Sequence, residues 1–264
     1  MKRGDEKWQY EVARILFVIT EDWALVSHRL HLVQAAIEAK HEVGIATNVT
    51  KFADLFGSMN IKVYDWPLRR RSLNIFAELK SIVRLDRIVQ NFNPNLIHAV
   101  AQKPVIYSGL ICRLRSRAKL LATLGGVGFI FSSKRMKARF LKYLMVMFFK
   151  IIFSDQRCKL SMQNQDNIDM FVTLGILENK DILLIKGSGV EIEKFLPSEF
   201  PSGTPIIILP ARLLWDKGVN EFVKTAHLIK SESYDVRFVL VGEPDFENPE
   251  SIPKKELDEW VNSG

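Results

Sequence analysis

Between Arg87 and Ser154 the chain has no aspartate and no glutamate, although it has 12 lysines or arginines there. Charge of one sign over so long a stretch points to an anionic partner: a membrane surface, a nucleic acid or a phosphorylated substrate. Cysteine is scarce. Cys112 and Cys158 have no metal-ligand spacing, and two cysteines in a chain this long fit a reducing compartment better than a disulfide scaffold. Glycine and proline are not enriched, so disorder is not expected. No apolar run is long enough and free enough of charge to span a membrane. The opening Met1-Lys-Arg-Gly-Asp-Glu-Lys7 lacks the apolar stretch of a signal peptide, and Ile15 to Ile19 is too short and ends in Glu21-Asp22. No paired carboxylates suggest glycoside hydrolysis. No recognisable nucleic-acid module accompanies the basic segment, so nucleic acid is not the expected partner.

What is present is ample material for buried cores: 47% of the 264 residues are apolar. Charge divides the chain. The first 86 residues have a net charge of +2, the middle stretch +12, and residues 155–264 a net of −7. Short apolar runs alternate with helical patterns. Strands are expected at 13–20, 43–47, 61–64, 96–100, 120–124, within 156–162, and at 182–185. Helices are expected between them, at 27–40, 52–59, 73–92, 104–114 and 164–174. Ser27 is the expected N-cap of the first helix. The alternation implies a doubly wound α/β sheet with right-handed crossovers.

Two segments stand out. Lys134 to Phe153 combines five basic residues between Lys134 and Lys142 with Phe140, Leu141, Leu144, Met145, Phe148, Phe149 and Ile152 at helical spacing. Such a helix either lies in a membrane interface or packs on the core with a solvated basic edge. Further on, Pro197 to Pro205 has a linker's composition. After it, Ile206 to Leu209 reads as a fully buried strand, and a loop with Arg212 and Lys217 leads to Gly218, where a helix through Lys230 opens. Two cations beside a helix N-terminus make a natural diphosphate site; the alternative is a pair of solvated charges on an ordinary loop. A further strand is expected at 236–241. Two strands in about sixty residues cannot form a well-buried doubly wound sheet. Either the chain stops short of a complete second domain, or something else covers the sheet.

Pro210-Ala-Arg-Leu-Leu-Trp-Asp-Lys-Gly218 resembles the signature loop of glycosyltransferase family 4, which are retaining, nucleotide-sugar-dependent enzymes of the GT-B fold. Three other stretches agree in order. Glu21 to Leu30 resembles the first-strand loop of a bacterial subgroup that builds lipid-linked polysaccharides. Thr123-Leu-Gly-Gly-Val-Gly128 resembles its acceptor-side glycine loop, and Lys186 to Phe195 its hinge. The resemblance implies an N-terminal acceptor-side Rossmann-like domain over 1–186, a hinge at 187–204, and an incomplete C-terminal Rossmann-like donor domain at 205–264. It assigns the donor diphosphate and leaving-group stabilisation to Arg212 and Lys217. Gly187, Ser188 and Gly189 would border the donor, and Ser27, His28, Arg29, Gly125, Gly126 and Gly128 would face the acceptor. The alternatives for these are tight turns, caps and surface positions. His98 would line the cleft or serve as a satisfied core histidine.

The implied partners are a nucleotide-sugar, a lipid-linked or saccharide acceptor and an anionic membrane surface on the cytoplasmic side; a second chain completing the donor domain is an optional further one. No metal or other cofactor is implied. The family's donor-site glutamates have no counterpart before Gly264, so a transferase inactive in this truncated form is one reading. A non-catalytic acceptor-, membrane- or subunit-binding protein is the other, and a sugar-nucleotide epimerase of the same fold is a weaker third.

Overall fold

The computed structural model describes residues 11–68, 74–126, 136–190, 192–200, 202–244, 248 and 250–263. The chain divides into two compact units, Met1–Val190 and Glu191–Gly264.

The first unit is a parallel sheet in the order β3-β2-β1-β4-β5-β6-β7. Its strands are β1 (Arg14–Glu21), β2 (Glu42–Asn48), β3 (Lys62–Asp65), β4 (Leu96–Val100), β5 (Lys119–Leu124), β6 (Cys158–Met162) and β7 (Ile182–Leu184). The helices are α1 (Asp22–Glu38), α2 (Ala53–Ser58), α3 (Ile75–Phe92), α4 (Gln102–Leu114), α5 (Met136–Phe153) and α6 (Gln165–Thr173). The strands read as unbroken apolar runs because both faces are covered. Along β1, Phe17 and Ile19 face a core shared with Leu25 and Val33 of α1 and Phe56 of α2. Leu16 and Val18 face the other core, built with α3, α4, α5 and α6. Chain order therefore reverses between β1 and β4, with helices leaving on opposite faces. In such sheets the crevice at the strand C-termini beside the reversal is where ligands bind.

Several element boundaries have identifiable causes. The side chain of Asn74 accepts from the amides of Phe76 and Ala77 at the start of α3, and Asn164 accepts from Asn167 N at 2.9 Å at the start of α6. Asn93 takes a left-handed conformation (φ 48°) that ends α3 before Pro94. Gly109 lets α4 approach α5: a Cβ there would stand 2.6 Å from Ile152.

The first helix differs from expectation. It begins at Asp22, directly after β1, so Ser27 is not its cap. Ser27 Oγ instead bonds back to the carbonyl of Trp23 inside the helix. The reason is Asp22, which accepts from Thr50 N (2.6 Å), Thr50 Oγ1 (2.7 Å), Lys51 N (2.8 Å) and Phe52 N (3.2 Å) in the loop after β2. That long-range anchor holds the chain in helix five residues earlier than a local cap would.

The second unit pairs β8 (Ile206–Pro210) with β9 (Arg237–Val241) in parallel, joined through α7 (Val219–Ser231), and ends in α8 (Lys254–Ser263). Its small core gathers Leu213, Val219 and Ile252, with Trp215 and Trp260 edge to face at 6.0 Å. The expectation of a fully buried β8 does not hold: Ile206 and Ile208 are 52% and 56% exposed. With two strands and one crossover, the described residues supply too little cover for either face.

Candidate functional site

Arg29 is the residue on which the first unit's site turns. Its side chain sits on the face of α1 that also carries Asp22, Leu25 and Val33, and the residue is only 7% exposed. Ser27 and His28, two positions and one position away, fall on the solvent side of the same helix. The three residues expected to act together are thus separated by helical phase, and Arg29 alone points inward.

The guanidinium donates from Nη1 to the carbonyl of His28 (3.3 Å) and to Ser188 Oγ (3.4 Å). Its Nε is buried without a hydrogen-bond partner, and among the described residues it forms no ion pair. Burial pulls its pKa below the usual arginine value, and no carboxylate offsets that effect. A guanidinium stays charged under such a shift, so this is a buried cation lacking a counter-ion, which is costly unless an anion arrives.

Its surroundings are polar but uncharged. His98, on β4, is 6% exposed, and its Nε2 lies 3.0 Å from Thr123 Oγ1 on β5. Burial, and then the charge of Arg29, push the imidazole pKa down to about 4, so His98 is neutral at pH 7. Phe17 of β1 packs against the ring at 5.3 Å. His98 is therefore both a satisfied core histidine and a neighbour of the buried cation. Thr123, which opens the glycine-loop motif, meets His98 through the pairing of β4 with β5, a relation that local sequence does not carry.

Gly187 and Gly189 flank Ser188 with φ of +70° and +73°. A Cβ at either position meets no atom, so the glycines serve backbone conformation rather than close packing. They set Ser188 on a two-sided left-handed turn from which it reaches Arg29. Gly125 and Gly126 follow β5 and are exposed; at Gly125 a Cβ would meet Gln163 Oε1 at 3.1 Å. Gly128, Lys134 and Arg135 lie outside the described residues.

Arg212 and Lys217 belong to the second unit and are both exposed. Lys217 closes a single 3-10 turn, Trp215–Lys217, and its Nζ is 3.6 Å from Asp216. Gly218 follows with φ 73° and caps α7, where the helix was expected to open. Gly242 secures this loop: a Cβ there would fall 1.8 Å from the carbonyl oxygen of Ala211. No group of three or more His, Cys, Asp or Glu among the described residues is placed to hold a metal ion.

A seven-stranded parallel sheet with this strand order, followed by a second βαβ unit, defines a Rossmann-like GT-B architecture. Among solved structures, the chain superposes on Anabaena Alr3699/HepE in complex with UDP and glucose with a TM-score of 0.69. That match has 16% identity and covers 95% of this chain and 66% of the other. A glycosyltransferase from Rickettsia africae matches with a TM-score of 0.61 and 18% identity, covering 96% of this chain and 64% of that one. Residues 14–156 match the glycosyl transferase 4-like family, and the chain belongs to it. Among characterised relatives, it is 27% identical to the N,N'-diacetylbacillosaminyl-diphospho-undecaprenol alpha-1,3-N-acetylgalactosaminyltransferase of Campylobacter jejuni, over 95% of this chain and 68% of the relative. The chain spans about two thirds of the length of these proteins.

Proposed function

We propose that this protein serves sugar transfer from a nucleotide-sugar to a lipid-linked acceptor, and that Arg29 holds the acceptor's diphosphate. The observation that carries the reading is the buried guanidinium with an unpartnered Nε and no carboxylate beside it. A diphosphate supplies the missing charge and can accept from two guanidinium nitrogens at once. Ser188 Oγ and the neutral His98–Thr123 pair add donors that do not compete with Arg29 for the anion. The similarity to a transferase whose named substrate is a diphospho-undecaprenol supports a lipid diphosphate in particular.

The donor side rests on Arg212 and Lys217. Fixed cations beside the N-terminus of α7 suit a donor diphosphate and stabilise negative charge on a departing nucleotide. Retention of configuration follows from the family resemblance, and this chemistry calls for no metal. Peripheral attachment to the cytoplasmic membrane face is part of the same reading; among the described residues, no helix is long and apolar enough to cross a membrane.

The test separates binding from transfer. Farnesyl diphosphate titrated into the full chain is expected to bind, and Arg29→Gln to weaken it by about tenfold or more, as loss of a charge-assisted bidentate contact requires. Equal binding by both proteins sinks the acceptor assignment. Transfer is then measured with a panel of nucleotide-sugars and a polyprenyl-diphosphate sugar. Diphosphate binding without transfer under any donor favours the non-catalytic reading.

A further inference from the structure

Two helices of the first unit expose apolar faces that no described residue covers. On α5, Met136, Phe140, Tyr143, Met147 and Ile151 recur every three or four residues along the solvent side, with Phe140 66% and Tyr143 68% exposed. The opposite side of the same helix, Met145, Phe149 and Ile152, fills the core. An ordinary amphipathic helix would be polar where α5 carries this second stripe. On α3, Ile75, Phe76, Leu79 and Val83 are exposed, with Phe76 at 85%, while Leu85, Ile88 and Phe92 are buried.

The two helices lie on one side of the sheet. Helices α3, α4 and α5 cover the same face of the sheet, and α4 touches both of its neighbours. Each helix follows its strand and returns antiparallel to it, so the first turns of α3 and α5 rise from the C-terminal edge of the sheet. Phe76, Phe140 and Tyr143 lie in or near those first turns. Gly125 and Gly126 leave β5 at the same edge.

The charges beside the stripes are positive. Lys80 and Arg87 on α3 and Arg139 and Lys150 on α5 are exposed. Beside α3 the carboxylates are engaged: Glu78 with Lys103 (2.8 Å) and the hydroxyl of Tyr107, Asp65 with Arg84 (3.1 Å), and Asp86 with Arg115 (3.0 Å). Beyond α5, the exposed acids are Asp166 and Asp169 of α6, and Asp169 accepts from Gln165 Nε2 (2.8 Å). From Arg87 to Ser154 the sequence has no acidic residue at all. A soluble protein partner of ordinary composition meets such a surface with no acid to answer its own cations. An anionic bilayer satisfies both features, taking aromatic side chains at headgroup depth and basic ones at the phosphates.

We infer that the exposed faces of α3 and α5 form one footprint that docks on an anionic lipid bilayer. The footprint extends the reading above, since it would bring the sheet edge that carries Gly125 to the surface where a lipid-linked acceptor resides. The helices lie along the membrane and do not enter it as spans.

The experiment is co-sedimentation of the full chain with vesicles of phosphatidylcholine alone and of phosphatidylcholine with phosphatidylglycerol. Binding is expected to the anionic vesicles, and to fall with added salt. Phe76→Ser, Phe140→Ser and Tyr143→Ser combined are expected to reduce it by about tenfold or more, and Lys80→Glu with Arg139→Glu to do the same. Leu228→Ser, an exposed apolar residue on α7, is the control and leaves binding unchanged. All substituted positions are solvent-exposed, and circular dichroism checks that each variant is folded. Three results overturn the proposal: equal binding to neutral vesicles, undiminished binding by both α3/α5 variants, or no vesicle binding together with a self-association that the serine variants abolish in light scattering. Farnesyl diphosphate binding is read on the same proteins. Loss of vesicle binding with diphosphate binding kept supports the footprint and leaves the Arg29 assignment intact. Vesicle binding without diphosphate binding removes that assignment alone.

Discussion

Arg29 Nη1 lies 3.4 Å from Ser188 Oγ, a contact between residues 159 positions apart that joins the first helix to the turn after the last strand of the sheet. The turn exists in this form because Gly187 and Gly189 both have positive φ. Gly187→Val or Gly189→Val forces a β-branched residue into the left-handed region, at a cost of about 1–2 kcal/mol. Farnesyl diphosphate binding is expected to weaken in either variant, because Ser188 leaves Arg29. Unchanged affinity would show that Ser188 takes no part in the site.

Acidification should weaken the first unit through His98. Its pKa falls from an ordinary 6.5 to about 4 on folding. The unfolded chain therefore binds a proton at this residue before the folded one does. The stability contributed by the neutral buried imidazole is complete above pH 6.5 and is lost as pH falls towards 4, an effect of about 3 kcal/mol. The carboxylates with lowered pKa, such as Asp22, act at lower pH because their reference values are lower. Urea denaturation of wild type and His98→Gln at pH 7 and pH 5 is the measurement. The wild type should lose more stability between the two, and equal losses would remove His98 as the cause.

Asp22 is worth more to the fold than its position suggests. Burial raises its pKa, but hydrogen bonds from Thr50, Lys51 and Phe52 outweigh that and hold it at about 2. Asp22→Ala removes the acceptor and leaves those donors to find others, with an expected loss of about 2–4 kcal/mol. Chemical denaturation reads the loss directly. A change below about 0.5 kcal/mol, the range of neutral surface substitutions, contradicts the anchoring role.

Gly242→Ala tests the second unit by itself. The new methyl would fall 1.8 Å from the Ala211 carbonyl, so the loop bearing Arg212 must move. Proteolysis should cut residues 192–263 faster in this variant, with the first unit's digestion unchanged. Equal protection of both proteins would show that the loop yields without cost.

The transfer reaction proposed here is expected to withstand chelation. Saturating EDTA should leave the rate within about twofold, since fixed cations rather than a metal ion oppose the diphosphate charge. A tenfold fall that magnesium restores would show a metal requirement that the described residues do not reveal.

Much of this protein was legible from sequence because parallel strands covered on both faces leave unbroken apolar runs, and those runs marked β1 to β6 within a residue or two. The loop at Arg212 and the cap at Gly218 were equally local, set by a few adjacent residues. What the sequence could not decide was helical phase. Placed behind a cap at Ser27, the segment Ser27-His28-Arg29 reads as a helix opening with three candidates. The helix in fact starts at Asp22, because the loop at Thr50 to Phe52 folds back to hydrogen-bond that carboxylate. That start, together with packing on β1 and β2, turns Asp22, Leu25, Arg29 and Val33 to one face. The same kind of long-range decision left β8 exposed, since an apolar run becomes buried only if other elements arrive to cover it. Apolar patterning determined that this chain would bury a parallel sheet; only tertiary contacts decided that Arg29, of three adjacent candidates, would be the one left buried, with its Nε unpartnered.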